Sequence, residues 1–177
     1  PEAFIRELSL IINQQQAQML LQYLEYSLTE QRYEQNDIFI SNEVSRDALK
    51  LEKHVFEYVA TDSKIEREFA LALDGAKEVV VYAKLPNRFQ IPTPFGAYNP
   101  DWAIAFDGNQ VKQIYFVAET KGSVDTSQLR EQEHNKIKSA RKFFDELNKK
   151  QNAYGTKVQY DVVDSFEQLR EVLFTSG

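Results

Sequence analysis

The chain has 177 residues, 42% hydrophobic and 27% charged, with a formal net charge of −6 and no cysteine. This balance is that of an ordinary soluble globular domain, long enough to bury a core. It excludes disulfides, thiolate catalysis and zinc–thiolate sites, and no apolar run approaches the roughly 20 residues that cross a bilayer.

In chain order, residues 3 to 30 are expected to be helical, because Ile5, Leu8 and Ile12, then Met19, Leu20, Tyr23 and Leu24, recur at helical spacing without Gly or Pro. Thr29–Asn42 is irregular, and a further helix is expected from Glu43 to about Val59. Ser63 followed by Glu66 is a capping-box signature. It starts a helix whose stripe is Ile65, Phe69, Ala70 and Leu73, with Asp74–Gly75 as its stop. Glu66 borders that stripe, and either a capping role or an active-site role explains it.

KEVVVYAKL (77–85) is a strand, and Arg88–Ile91 a candidate short one. DWAIAF (101–106) and QIYFVAE (113–119) form a hairpin across Asp107–Gly108–Asn109. Residues 127–150 form a long helix with Leu129, Ile137, Ala140, Phe144 and Leu147 on one face. YGTKVQYDVV supplies a last strand and SFEQLREVLF a closing helix. This order predicts an α/β fold with a mixed central sheet flanked by helices.

The charge is uneven. Residues 1–83 hold eight Lys/Arg against fifteen Asp/Glu, whereas residues 136–157 hold seven basic residues and two acidic ones. Such a basic run is either a solvated helix face or a local phosphate-binding surface. Only two histidines occur, His54 and His134, neither in a nucleophile context, so carboxylates must carry any hydrolytic chemistry. A phosphate loop of the GxxxxGK[ST] type is also absent from the sequence.

In YFVAETKG (115–122) an apolar strand ends in Glu119 and Lys121, two positions apart and therefore on one face. A solvated strand end with a local ion pair explains this, as does half of a metal-dependent nuclease site. If Phe106 lies opposite Ile114, Asp101 lies opposite Glu119. Like charges so placed repel unless a cation sits between them. A divalent metal with oxygen ligands fits, and it would polarise a phosphodiester and acidify a bound water. Lys121 would orient or deprotonate that water, and Glu66 would hold a second metal or a metal-bound water.

Pro100–Asp101, seventeen intervening residues, then Glu119–Thr120–Lys121 resembles the PD-(D/E)xK nuclease signature. With DSKIEREFA (62–70), YAKLPNRFQIPTPFGAYNPDWAIAF (82–106) and FVAETKGS (116–123), the chain resembles the C-terminal endonuclease domain of the Res subunit of type III restriction–modification enzymes. The resemblance runs from about residue 54 to 145.

It implies a restriction-endonuclease-like core over 61–177 that cleaves double-stranded DNA with Mg²⁺, using one metal or two. Asp101 and Glu119 would be metal ligands, the Thr120 carbonyl a further one, Lys121 the catalytic lysine and Glu66 the helix glutamate. Lys84, Arg88 and Lys136 are the candidate DNA-phosphate contacts.

Residues 1–60 would be a helical connector to a helicase part outside this sequence, through which alone ATP would act. The opening PEAFIREL, without an initiator methionine, fits an excised fragment, and a processed or renumbered protein equally. The resemblance further implies a separate modification (methyltransferase) subunit, two copies for a double-strand break, no membrane and a prokaryotic cytoplasm. The alternative is an inactive nuclease-like module for DNA binding or assembly.

Overall fold

The computed structural model describes residues 2–27, 48–61, 63–107, 113–119, 127–151, 157–163 and 165–175, with the backbone alone at 113–119, 127–130, 151, 157 and 174–175. Thr120, Lys121 and the turn residues Gly108 and Asn109 lie outside the described residues. The elements are α1 (Glu2–Tyr23), β1 (Leu49–Lys50), β2 (Tyr58–Val59), α2 (Lys64–Gly75), β3 (Val79–Lys84), β4 (Trp102–Phe106), β5 (Gln113–Glu119), α3 (Ser127–Gln151), β6 (Lys157–Val163) and α4 (Phe166–Thr175).

Strands β3-β4-β5-β6 form one sheet in that order. The first two pairings are antiparallel and β5–β6 is parallel, so the sheet is mixed. The parallel pair is joined through α3, as a parallel connection requires. One apolar cluster gathers Phe69, Ala70 and Leu73 of α2, Trp102, Ile104 and Phe106 of β4, and Phe166 and Leu169 of α4. A second gathers Ala140 and Phe144 of α3 with Ile91, Tyr98, Val158 and Tyr160. Along β6, Val158 and Tyr160 fall in the second cluster and Val163 in the first, as strand alternation demands. Helices therefore cover both sides of the sheet.

Four expectations are corrected. The helix expected from Glu43 to Val59 is replaced, over its described part, by the antiparallel ribbon β1–β2, with Leu49 opposite Val59. Leu49, Leu51 and Val59 are buried in the first cluster. Their apolar spacing serves a ribbon laid on the sheet edge, and tertiary packing overrides local helix propensity. Arg88–Ile91 makes no strand beyond a single bridge between Ile91 and Tyr98. Helix α1 ends at Tyr23 rather than near residue 30, and residues 24–27 are not helical.

The fourth correction bears on the site. Phe106 pairs with Gln113 and Trp102 with Val117, so the connection is one residue shorter than expected. Continuing that register brings Asp101 level with Ala118, not with Glu119. β5 is apolar on successive residues, as a strand covered on both sides is. It lacks the polar alternation that would select one register over its one-residue neighbour. The direct carboxylate-opposite-carboxylate pairing is therefore not made by this hairpin.

The edge strand β3 carries a bulge between Val79 and Val81. Its outer edge is covered at Tyr82 by residues 53–55. Val55 N–H donates to Tyr82 O at 3.0 Å and Tyr82 N–H to Lys53 O at 3.1 Å. This blunts an edge that would otherwise offer free backbone groups.

Candidate active site

Helix α2 begins as the capping signature predicts: the Ser63 side chain accepts from the Glu66 N–H at 3.1 Å. The cap orients the first turn so that Glu66 turns inward, and its side chain is only 1% exposed. Its carboxylate accepts from the Lys84 ammonium at 2.8 Å. Lys84 ends β3, and the same ammonium lies 3.3 Å from the Ala60 carbonyl oxygen. Glu66 is thus both at the cap and in a buried ion pair, so the two readings of this residue coexist.

The sheet brings other candidates to the same end. Lys84 pairs with Trp102 at the start of β4, and Leu85 N–H donates to the Asp101 carbonyl at 2.7 Å. Because β4 and β5 are antiparallel, the start of β4 meets the end of β5, where Glu119 pairs with Val163. The end of β3, the start of β4 and the end of β5 therefore lie side by side. Glu66, Lys84, Asp101 and Glu119 sit on or beside this one end of the sheet.

Asp101 is half-buried, close to a pair of tyrosines. The Tyr98 and Tyr160 hydroxyls are 2.6 Å apart. Burial, then Tyr160, and then the negative charges of Glu133 and Asp101 push the Tyr98 phenol far above its ordinary range. It therefore stays neutral and serves as a hydrogen-bonding strut. Gly96 holds a φ of +104°, which a residue without a side chain adopts readily, and turns the loop back so that Ile91 and Tyr98 exchange backbone hydrogen bonds. A Cβ at Gly96 would lie 3.7 Å from the Lys136 side chain, so this loop packs beside α3.

Arg88 is exposed, and Lys136 is half-buried with its ammonium 3.9 Å from Glu133. Much of the basic run on α3 is engaged within the protein. Lys142 donates to the Leu21 carbonyl and Lys150 to the Tyr26 carbonyl at 2.9 Å, satisfying groups at and just beyond the C-terminal end of α1. Lys149 pairs with Glu146 at 2.7 Å.

Two residues that fasten the ribbon to the sheet and to α2 were missed. His54 is buried, and its Nε2 accepts the Lys84 backbone N–H at 2.9 Å. Asp74, read only as a helix stop, accepts from the backbone N–H of Glu52 at 3.0 Å and of Lys53 at 2.9 Å, and from the Tyr82 hydroxyl at 3.2 Å. Nothing in the local sequence signals either role, because both join segments 20 or more residues apart.

No group of three or more His, Asp or Glu positioned to hold a metal occurs among the described residues. The donors that are described, the carboxylates of Glu66 and Asp101, are oxygen ligands suited to a hard divalent cation. Glu66 is buried against a positive charge already, so its surroundings accommodate a cation. No helix among the described residues is long and apolar enough to cross a membrane.

The endonuclease-domain family matches this chain over residues 52–166. The chain is also 32% identical over 100 residues to the type III restriction–modification enzyme EcoPI Res subunit of Escherichia phage P1, and equally to the EcoP15I Res subunit of Escherichia coli. Each match covers 55% of this chain and 10% of the relative, so the chain spans only a small part of those proteins. No solved structure matches. The family match takes in His54, β2, the sheet end and the start of α4 together, and the chain belongs to the endonuclease-domain family, as a domain of the type found in Res subunits.

Proposed function

We propose that this chain is a Mg²⁺-dependent endonuclease domain that hydrolyses phosphodiester bonds of double-stranded DNA, built on a PD-(D/E)xK core. The observation that carries this reading is the convergence of Glu66, Lys84, Asp101 and Glu119 on one end of the sheet. It replaces the direct cross-strand pairing that the observed register removes. Neighbouring strand ends bring the two carboxylate positions close even though they are not opposite each other.

Asp101, Glu119 and the Thr120 carbonyl are the residues that would hold the metal, with Glu66 for a second ion or its water. A bound Mg²⁺ supplies positive charge for the scissile phosphate and acidifies water. Lys121 orients or deprotonates the attacking water and offsets phosphate charge. Lys84, Arg88 and Lys136 are the candidate phosphate contacts.

Within a longer restriction subunit the domain would work with an ATP-driven motor and a modification subunit, and two copies would make a double-strand break. The test is nicking of supercoiled plasmid by this chain with Mg²⁺, compared with Asp101→Asn and Lys121→Ala. Each variant is expected to lose about a thousandfold in rate while DNA affinity is retained. If Lys121→Ala cuts at the parent rate, the mechanism is wrong. DNA binding by the parent without any cutting would leave an inactive assembly module instead.

A further inference from the structure

The β1–β2 ribbon reaches the site through one residue that the nuclease chemistry does not use. His54 sits between the two strands, 8% exposed, with its ring against Tyr82 at a centroid distance of 5.3 Å. Its Nε2 accepts the Lys84 N–H at 2.9 Å. The ring proton must therefore lie on Nδ1, which is 2.9 Å from the Phe56 carbonyl and donates to it. The Phe56 amide is 3.0 Å from the same nitrogen, but a protonated Nδ1 has no in-plane lone pair to offer it. The ring is thus fixed by contacts at both nitrogens.

From this geometry we propose that His54 is a positioning residue for the candidate nuclease site. As a neutral acceptor it fixes the backbone at Lys84, so that the lysine stem directs its ammonium between Glu66 and Ala60. The backbone of residues 53–55 bonds the outer edge of β3 at Tyr82. At Lys84 the imidazole of His54 takes the place of a strand partner. Without it the last residue of β3 would lose its outer hydrogen bond, and the Glu66 carboxylate would lose a partner held in place from both ends.

The proposal rests on the nuclease reading only in linking this latch to catalysis. The charged group that acts on the ring is Asp74 of α2, which, after the Phe56 carbonyl, draws it toward its charged form; the Lys84 ammonium is turned to Glu66 and Ala60 and the Lys53 ammonium to the Ala76 carbonyl. The latch works against that pull through burial.

The test uses two substitutions in the whole chain. His54→Gln keeps an acceptor at the place of Nε2. His54→Asn keeps only a group at the place of Nδ1, toward Phe56. Amide hydrogen exchange at Lys84, the Lys84 ammonium resonance by NMR and plasmid nicking are measured for each.

His54→Asn is expected to lose about tenfold in Lys84 amide protection and about tenfold in nicking, the size of one buried hydrogen bond, while His54→Gln stays within about twofold of the parent. If the two variants behave alike, the acceptor role is overturned. Should His54→Asn not fold, loss of Lys84 protection in His54→Gln would overturn it equally. If Lys84 protection falls in His54→Asn but nicking does not, His54 is a structural latch and the positioning role is overturned. A parent that cuts no DNA refutes the nuclease reading, and the Lys84 amide and ammonium signals still judge the latch.

Discussion

On the α2 side of the sheet, Lys84 lies in a buried pair with Glu66, with its backbone held by His54. On the α3 side, Lys142 and Lys150 reach across the surface to carbonyl oxygens near the end of α1. The first lysine balances a carboxylate that has lost its water. The others satisfy helix-end acceptors that water would also satisfy. Removing this partner in the first setting leaves a buried charge without its lysine, whereas in the second solvent takes over. A lysine's weight in this protein is thus set by the burial of what it faces, and the basic run on α3 is a poor guide to a DNA surface.

That contrast can be broken at its strong end. Lys84→Met is expected to cost about 3 kcal/mol in urea unfolding, because the Glu66 carboxylate is left buried without this partner. The double substitution with Glu66→Leu should recover most of the loss, since well-packed apolar groups replace a buried ion pair at little cost. Parent-like stability of Lys84→Met would show that the pair is not held as described.

Acid sharpens the same comparison. Burial pushes the His54 imidazole below its ordinary value, against the opposing pull of the Phe56 carbonyl and the Asp74 charge. The folded state therefore favours the neutral ring. Its contribution is fully present above about pH 6.5, the ordinary histidine value, and is lost as pH falls through the lower folded value. Asp74 is also held low: burial raises it, but the amides of Lys53 and Glu52 and the Tyr82 hydroxyl outweigh that. Its contribution is present above about pH 4 and is lost as pH falls through its lower folded value, so it fails in a separate, more acidic step. Thermal unfolding across pH 4 to 8 should show the His54 step in the parent and lack it in His54→Gln. An identical profile for both would exclude His54 as its source.

The weak end predicts the smallest effect. Lys142→Ala is expected to cost about 0.5 kcal/mol or less, seen as faster hydrogen exchange near Leu21, with DNA affinity unchanged. A large drop in DNA affinity would instead place this part of α3 on the substrate surface.

Much of the fold is legible from local chemistry. The Ser63 cap, the β3 and β4 strands, the long α3 and the order of elements follow from patterns spanning one or two turns or a few alternating residues. The candidate site residues are legible too, as residue types at the ends of apolar strands. The relation between them is not. The apolar run Ile114–Ala118 of β5 fits two registers equally well, and the sheet chose the one that sets Asp101 beside Ala118. The ribbon at 49–59 was misread because its apolar residues serve a distant sheet edge rather than a helix face.

By itself, the sequence determined which segments fold as helices and strands around the sheet, and that carboxylates and lysines had to supply any hydrolytic chemistry. Only the tertiary structure decided that Lys84 belongs to Glu66, that His54 and Asp74 fasten the ribbon, and that Lys142 and Lys150 reach the end of α1. Each of those contacts joins residues far apart in the chain. Their energy depends on burial, which no local pattern of residues encodes.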